Sequence, residues 1–110
     1  MPLKSPFPKE VYERNAVIYK LMANPKRLEI LNSIKNTRAT VNELAELLGV
    51  RKANISQHLF YLRAMKLVEV ERKGKNAFYT ITDPRLVEPC RILKELLEKD
   101  KKGAKKTGKS

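Results

Sequence analysis

The sequence predicts a mainly α-helical domain that carries one small β-hairpin. Apolar residues recur at helical spacing through most of the chain, and capping signals divide the helical part into about five helices. Two short β-prone segments between residues 67 and 81 flank a basic turn that contains glycine. A chain of 110 residues forms one domain and buries only about two thirds of its unfolded surface, so dimerisation would add stability.

An Asn-Pro signal separates the first two helices. Residues 1–9 contain prolines and are predicted to form an extended arm, and the apolar repeat that follows predicts a helix from about Pro8 to Ala23. Asn24 is the expected N-cap of the second helix, and Pro25 fits its first turn because the amide hydrogen that proline lacks would be unpaired there.

The third and fourth helices are predicted to be joined by a tight turn. Thr40 and Glu43 have the spacing of a capping box, and this helix is expected to run to about Leu48. Gly49 can adopt the left-handed conformation that ends a helix. The fourth helix is expected from about Lys52 to Met65, with Ile55, Leu59 and Leu62 forming one narrow core face.

The opposite face of the fourth helix is polar near its N-terminus. Small and hydrogen-bonding side chains close to a helix N-terminus are typical of a helix that enters the DNA major groove. We therefore predict base-contacting roles for Lys52, Ala53, Asn54, Ser56 and Gln57.

A basic hairpin is predicted next, with strands at Leu67–Glu71 and Ala77–Ile81 and a connection at residues 72–76. Such a hairpin beside a recognition helix is placed to hold backbone phosphate or the minor groove. The alternative is an edge hairpin whose lysines only prevent aggregation. The side chains predicted to contact the backbone are His58, Arg63, Arg72, Lys73 and Lys75.

Asp83-Pro84 repeats the N-cap and proline signal before a last helix. Pro89 lies inside the apolar pattern, so this helix is either kinked there or begins near Glu88. Its apolar stripe is Leu86, Cys90, Leu93 and Leu97. Residues 99–110 contain six lysines, and we predict a disordered tail that either adds weak DNA affinity or is merely solvated.

The formal net charge of +12 favours a polyanionic partner. Residues 51–82 contain seven Lys and Arg against two Asp and Glu, so the positive charge is concentrated on the second half of the motif and the hairpin. The single cysteine excludes an internal disulfide, and no apolar run has the length of a membrane span or follows a charged start as in a signal peptide. We expect a soluble, cytoplasmic protein with no membrane contact.

This order of helices and hairpin is that of a winged helix-turn-helix. The segments at 21–31, 41–50, 54–63 and 67–79 resemble the ArsR family of winged-helix repressors, and the resemblance covers residues 10–98. It implies a symmetric homodimer with the first and last helices at the seam. Two recognition helices would enter successive major grooves of a near-palindromic operator in double-stranded DNA, and an inducer, which the sequence does not identify, would release the protein.

The positions at which metal-sensing members of the ArsR family carry their ligands hold other residues in this sequence. Thr40 and Asn42 stand where thiolate sensors carry cysteines, and neither binds a soft metal. The positions that match the last-helix sites are Asp83, Arg85, Leu96 and Lys99, of which only the aspartate is a ligand, and it is better explained as an N-cap. We therefore predict no metal and no cofactor.

The only histidine and the only cysteine have ordinary explanations. His58 precedes a core leucine, so local packing or a phosphate contact outweighs metal ligation. Cys90 lies on the apolar stripe, where free cysteine usually acts as a small hydrophobe. The alternative is redox sensing, if Cys90 meets its own copy across a dimer seam.

No Ser/His/Asp or Cys/His set and no glycine-rich phosphate loop is present, so we predict that the protein is not an enzyme. The first hypothesis is a sequence-specific repressor. The second is a winged helix that binds an acidic protein partner, for which Phe60, predicted to lie away from the core face, is the best indication. Phe60 could instead touch a thymine methyl or pack under the wing. A third is an architectural DNA binder without sequence selectivity.

Overall fold

The computed structural model describes residues 2–107 and has five α-helices with a two-stranded antiparallel hairpin. This confirms the predicted fold class. The elements in chain order are α1 (Lys9–Met22), α2 (Pro25–Ser33), α3 (Val41–Leu48), α4 (Lys52–Ala64), β1 (Val68–Lys73), β2 (Asn76–Ile81), a short 3₁₀ helix (Pro84–Val87) and α5 (Glu88–Thr107). No helix among the described residues combines the length and the apolar content that a membrane span requires.

One apolar core holds the recognition helix in place. The core face predicted for α4 is buried, with Ile55, Leu59 and Leu62 at 1% exposure or less. The α4 helix packs against α2, α3 and β1, and the 3₁₀ helix packs against α2. The fully buried members outside α4 are Ile30, Leu31, Ile34, Leu44 and Val87. Burial of this face orients the opposite face of α4 toward solvent.

The predicted helix starts and the turn of the motif are confirmed in atomic detail. The Asn24 side chain accepts hydrogen bonds from the backbone N–H groups of Lys26 and Arg27. Thr40 and Glu43 form both hydrogen bonds of the capping box. Gly49 ends α3 with φ of 70°, a left-handed conformation that glycine adopts without a side-chain penalty.

The α4 helix ends within one residue of the predicted position, but the left-handed turn that ends it was not predicted from the sequence. Lys66 has φ of 62°, its N–H bonds to the carbonyl of Arg63, and the N–H of Leu67 bonds to the carbonyl of Leu62. This is the Schellman arrangement, which usually places glycine at the position that Lys66 holds. The local turn brings the chain directly from the recognition helix into β1.

The hairpin is longer and its turn shorter than predicted. Lys73 pairs with Asn76, so only Gly74 and Lys75 form the turn, and Gly74 has φ of 61°. Arg72 and Lys73 therefore belong to β1 and not to the connection, and they point to opposite faces of the hairpin. The strands extend because a left-handed glycine permits a two-residue turn that matches their twist.

The last helix begins at Glu88, which decides between the two predicted alternatives. Asp83 caps the 3₁₀ helix that precedes it, and Pro89 falls in the first turn of α5, where proline is tolerated. The backbone of α5 continues to Thr107, which differs from the disorder predicted from Lys99 onward. Lysine and alanine are good helix formers, which favours this extension. The rest of the predicted tail, residues 108–110, lies outside the described part of the chain.

Candidate nucleic-acid interface

The solvent-facing side of α4 contains all five side chains for which we predicted base contacts. Lys52, Ala53, Asn54, Ser56 and Gln57 are all exposed. They lie in the first two turns, where the unpaired N–H groups and the helix dipole favour a negatively charged partner. The structure thus exposes the whole predicted set at the start of α4, with Ala53, Ser56 and Gln57 on the side opposite the core face.

The start of α4 adds a cation that we did not single out from the sequence. Arg51 is the N-cap residue, is exposed, and makes no side-chain capping bond. The only signal for it was its place beside Lys52 immediately before the helix. From Arg51 to Val68 the chain contains no Asp or Glu, so the recognition face is free of carboxylates of its own.

His58 is bound by a side chain of α2 and is half-buried. Arg27 Nε donates a hydrogen bond to His58 Nδ1 at 3.1 Å, and Arg27 Nη1 donates to the carbonyl of Leu21 at 3.1 Å. The Arg27 guanidinium also lies 5.1 Å from the centre of the Tyr61 ring. Arg27 therefore links the last turns of α1 to the recognition helix. Of the two roles predicted for His58, the contacts support local packing, and its phosphate contact stays a prediction.

Burial and the neighbouring Arg27 make the protonation of His58 unfavourable in the folded protein. Burial, and then the nearby Arg27 charge, hold the pKa of His58 below its ordinary value of 6.5. The unfolded chain binds the proton more readily, so the free energy of unfolding should fall as the pH drops from about 7.5 through 6.5. In His58→Gln the amide oxygen can still accept from Arg27 without titrating. Urea unfolding of both proteins between pH 5.5 and 7.5 should show a flatter pH dependence for the variant, and equal slopes would contradict this assignment.

The wing is connected to the helix-turn-helix by the segment that precedes α3. Ala39 and Tyr79 exchange two backbone hydrogen bonds, of 2.8 and 3.1 Å, which adds a one-residue third strand to the hairpin. Arg38 lies 4.3 Å from the centre of the Phe78 ring and 3.6 Å from the Glu71 carboxylate. These contacts orient the wing relative to α3 and pair Glu71, one of the two acids on β1, with a cation.

The predicted backbone-contacting cations are spread over α4 and the wing. Arg72, Lys73 and Lys75 are exposed at the distal end of the hairpin. Arg63 is exposed in the last turn of α4 and forms no ion pair with the described residues. Only Lys75 occupies the turn itself.

The side chain of Cys90 lies against α2 of the same chain. Its Sγ lies 3.4 Å from Asn32 Nδ2 of α2, and it is half-buried beside an apolar groove formed by the end of α1 and the start of α5. A contact between two copies of Cys90 stays a prediction.

Two of the positions considered for metal binding have other roles in the structure. Thr40 forms the capping box of α3. Asp83 accepts hydrogen bonds from the guanidinium and the backbone N–H of Arg85, and these bonds lower the pKa of Asp83 to about 2.

The polar face of α4 and the cationic wing beside it define a DNA-binding protein of the winged helix-turn-helix class. Residues 24–70 match the family model described as "Bacterial regulatory protein, arsR family". The nodulation protein NolR of Rhizobium meliloti is 32% identical over 98 residues, which cover 86% of this chain and 80% of NolR. The chain belongs to the arsR family, and it is a transcriptional regulator.

Two solved structures have the same fold. NolR from Sinorhizobium fredii superimposes with a TM-score of 0.73 at 34% identity, over 87% of this chain and 96% of NolR. The homodimeric winged helix-turn-helix DNA-binding domain of Mb0332 from Mycobacterium bovis superimposes with a TM-score of 0.71 at 26% identity, over 86% of this chain and 91% of that domain.

Proposed function

We propose that the protein is a homodimeric repressor that binds a near-palindromic operator in the bacterial cytoplasm and blocks transcription by occupying it. The observation that carries this proposal is the exposed, carboxylate-free face of α4, because it presents amide and cationic groups beside a basic wing. Amide side chains pair with adenine edges and cationic ones with guanine edges in the major groove.

The dimer seam is formed by α1 and α5. On α5 the exposed apolar side chains Ile92, Leu93, Leu96 and Leu97 share one face, while Arg91, Lys94, Glu95 and Glu98 form ion pairs on the other. Val17 and Tyr19 of α1 are also exposed. The apolar groove between the two helices has Tyr19 of α1 and Leu93 of α5 among its walls, so it connects Tyr19 to the apolar face of α5. An exposed apolar surface of this kind marks an interaction site, and the homodimeric Mb0332 domain supports a second copy as the occupant.

In the proposed complex the two α4 helices enter successive major grooves. The base contacts are made by Lys52, Ala53, Asn54, Ser56 and Gln57, and the backbone contacts of the wing by Arg72, Lys73 and Lys75. Arg63 adds a phosphate contact from the end of α4.

The wing can be tested through the salt dependence of binding. Lys75→Ala should weaken binding to operator and to random DNA alike. It should reduce the slope of log K against log salt by about one for each protomer, or about two for the dimer, because each protomer loses one phosphate contact. Titrations at several salt concentrations would measure this. Lys94→Ala, which removes an exposed lysine of α5, is the matched control and should leave the slope unchanged. A loss confined to the operator would contradict a backbone role for Lys75.

Selection of bound sequences from a random DNA pool tests the function as a whole. The expected result is a palindrome whose half-sites are one helical turn apart, together with lower expression of a reporter placed behind that sequence. Binding without sequence preference would favour an architectural role. The absence of DNA binding even at low salt would favour a protein-interaction module. Increased reporter expression would make the protein an activator.

A further inference from the structure

Phe60 is an exposed aromatic side chain on the face of α4 that carries the predicted base contacts. Its side chain is 68% exposed, so it does not pack under the wing. At about 100° per residue, Phe60 lies within about 60° of both Ser56 and Gln57 and one turn further along the helix. The neighbouring Tyr61 is 41% exposed, so two adjacent aromatic side chains of α4 face solvent.

The ring of Phe60 is held in position by a chain of contacts. It meets the Tyr61 ring edge-on, with 5.6 Å between ring centres and 76° between ring planes. Tyr61 in turn lies against the guanidinium of Arg27, which is fixed by His58 and by the carbonyl of Leu21. An orientation that exists before binding reduces the entropy cost of forming a contact.

The charge around Phe60 favours nucleic acid over protein as its partner. No carboxylate occurs between Arg51 and Val68, and the exposed cations Lys52 and Arg63 lie within about 80° of Phe60 around the helix axis. In the major groove the only exposed apolar group on a base pair is the 5-methyl of thymine, which phenylalanine can contact.

We propose that Phe60 is a base-reading residue that contacts the 5-methyl group of a thymine in each operator half-site. This inference rests on the proposed DNA-binding function and adds a specificity determinant to it. It predicts a preference for thymine over cytosine and over deoxyuridine at the contacted position, because both lack the methyl group.

Deoxyuridine substitution tests the contact directly. In the selected operator, each thymine is replaced in turn by deoxyuridine, symmetrically in both half-sites, and affinity is measured by gel shift for the wild type, Phe60→Ala and Phe60→Leu. At one position the wild type should lose about four-fold per half-site, the value expected for one buried methyl group. Phe60→Ala should bind the unmodified operator correspondingly less well and be insensitive to the substitution, while Phe60→Leu should keep part of the sensitivity.

The outcomes separate this inference from the proposed function. If the wild type binds the operator selectively but is insensitive to deoxyuridine everywhere, or if Phe60→Ala keeps the full sensitivity, the Phe60 contact is overturned and the DNA-binding function stands. If no selective binding is found at all, the proposed function fails. Leu47→Ala is the matched control, because it removes an apolar side chain of similar exposure from α3 and should leave the deoxyuridine profile unchanged. Phe60 is exposed, so thermal unfolding of its variants should match that of the wild type.

Discussion

Replacing both Leu93 and Leu97 with lysine is expected to convert the regulator into a monomer and to weaken operator binding by about 100-fold or more. Both side chains are exposed in the protomer, at 63% and 60%, so the fold of each subunit should be unaffected. In the dimer the four new charges would face one another within an apolar seam. Two linked recognition helices gain about 10² to 10⁴ in affinity over a single one, and a monomer loses that gain.

The choice of lysine makes this result interpretable. Added cations cannot weaken DNA binding electrostatically, so a loss of affinity must come from the loss of the second subunit. Sedimentation and gel-shift titrations on full and half operators would measure both effects. Arg91→Gln changes the opposite face of α5, where Arg91 pairs with Glu88 and Glu95, and should preserve the dimer. A double variant that stays dimeric would contradict the proposed seam. A monomer with undiminished affinity would contradict the proposal that both recognition helices contribute to operator binding.

The second large effect is expected from Gln57→Ala, which should weaken operator binding by about 1 to 3 kcal/mol and leave binding to random DNA nearly unchanged. Gln57 is exposed on α4, and in the proposed complex its amide pairs with an adenine edge in the groove. Its removal abolishes a contact that depends on base identity, whereas the phosphate contacts of the wing remain. Competition titrations with operator and random duplexes would separate the two affinities.

An exposed amide away from α4 provides the control for this variant. Asn36 lies in the connection between α2 and α3, and Asn36→Ala should change neither affinity. Equal losses on operator and random DNA for Gln57→Ala would show that Gln57 contributes to general affinity and not to base recognition.

The sequence by itself determined those parts of the protein that depend on local signals. The caps at Asn24 and Thr40, the left-handed Gly49 and the spacing of Ile55, Leu59 and Leu62 defined the helix-turn-helix, because each signal acts within one or two turns of backbone. The polar face of α4 followed directly, since burying one face of a helix exposes the other.

Only the tertiary structure decided the features that join residues distant in the chain. Arg27 and His58 are 31 positions apart, and their contact, which makes His58 a packing residue, has no local sequence pattern. The same holds for the bonds between Ala39 and Tyr79 that attach the wing. The left-handed conformation of Lys66 was not predicted because a residue other than glycine rarely adopts it. The sequence thus specified the polar face of α4 that we propose as the DNA-contacting surface, and long-range packing determined the orientation in which that face is held.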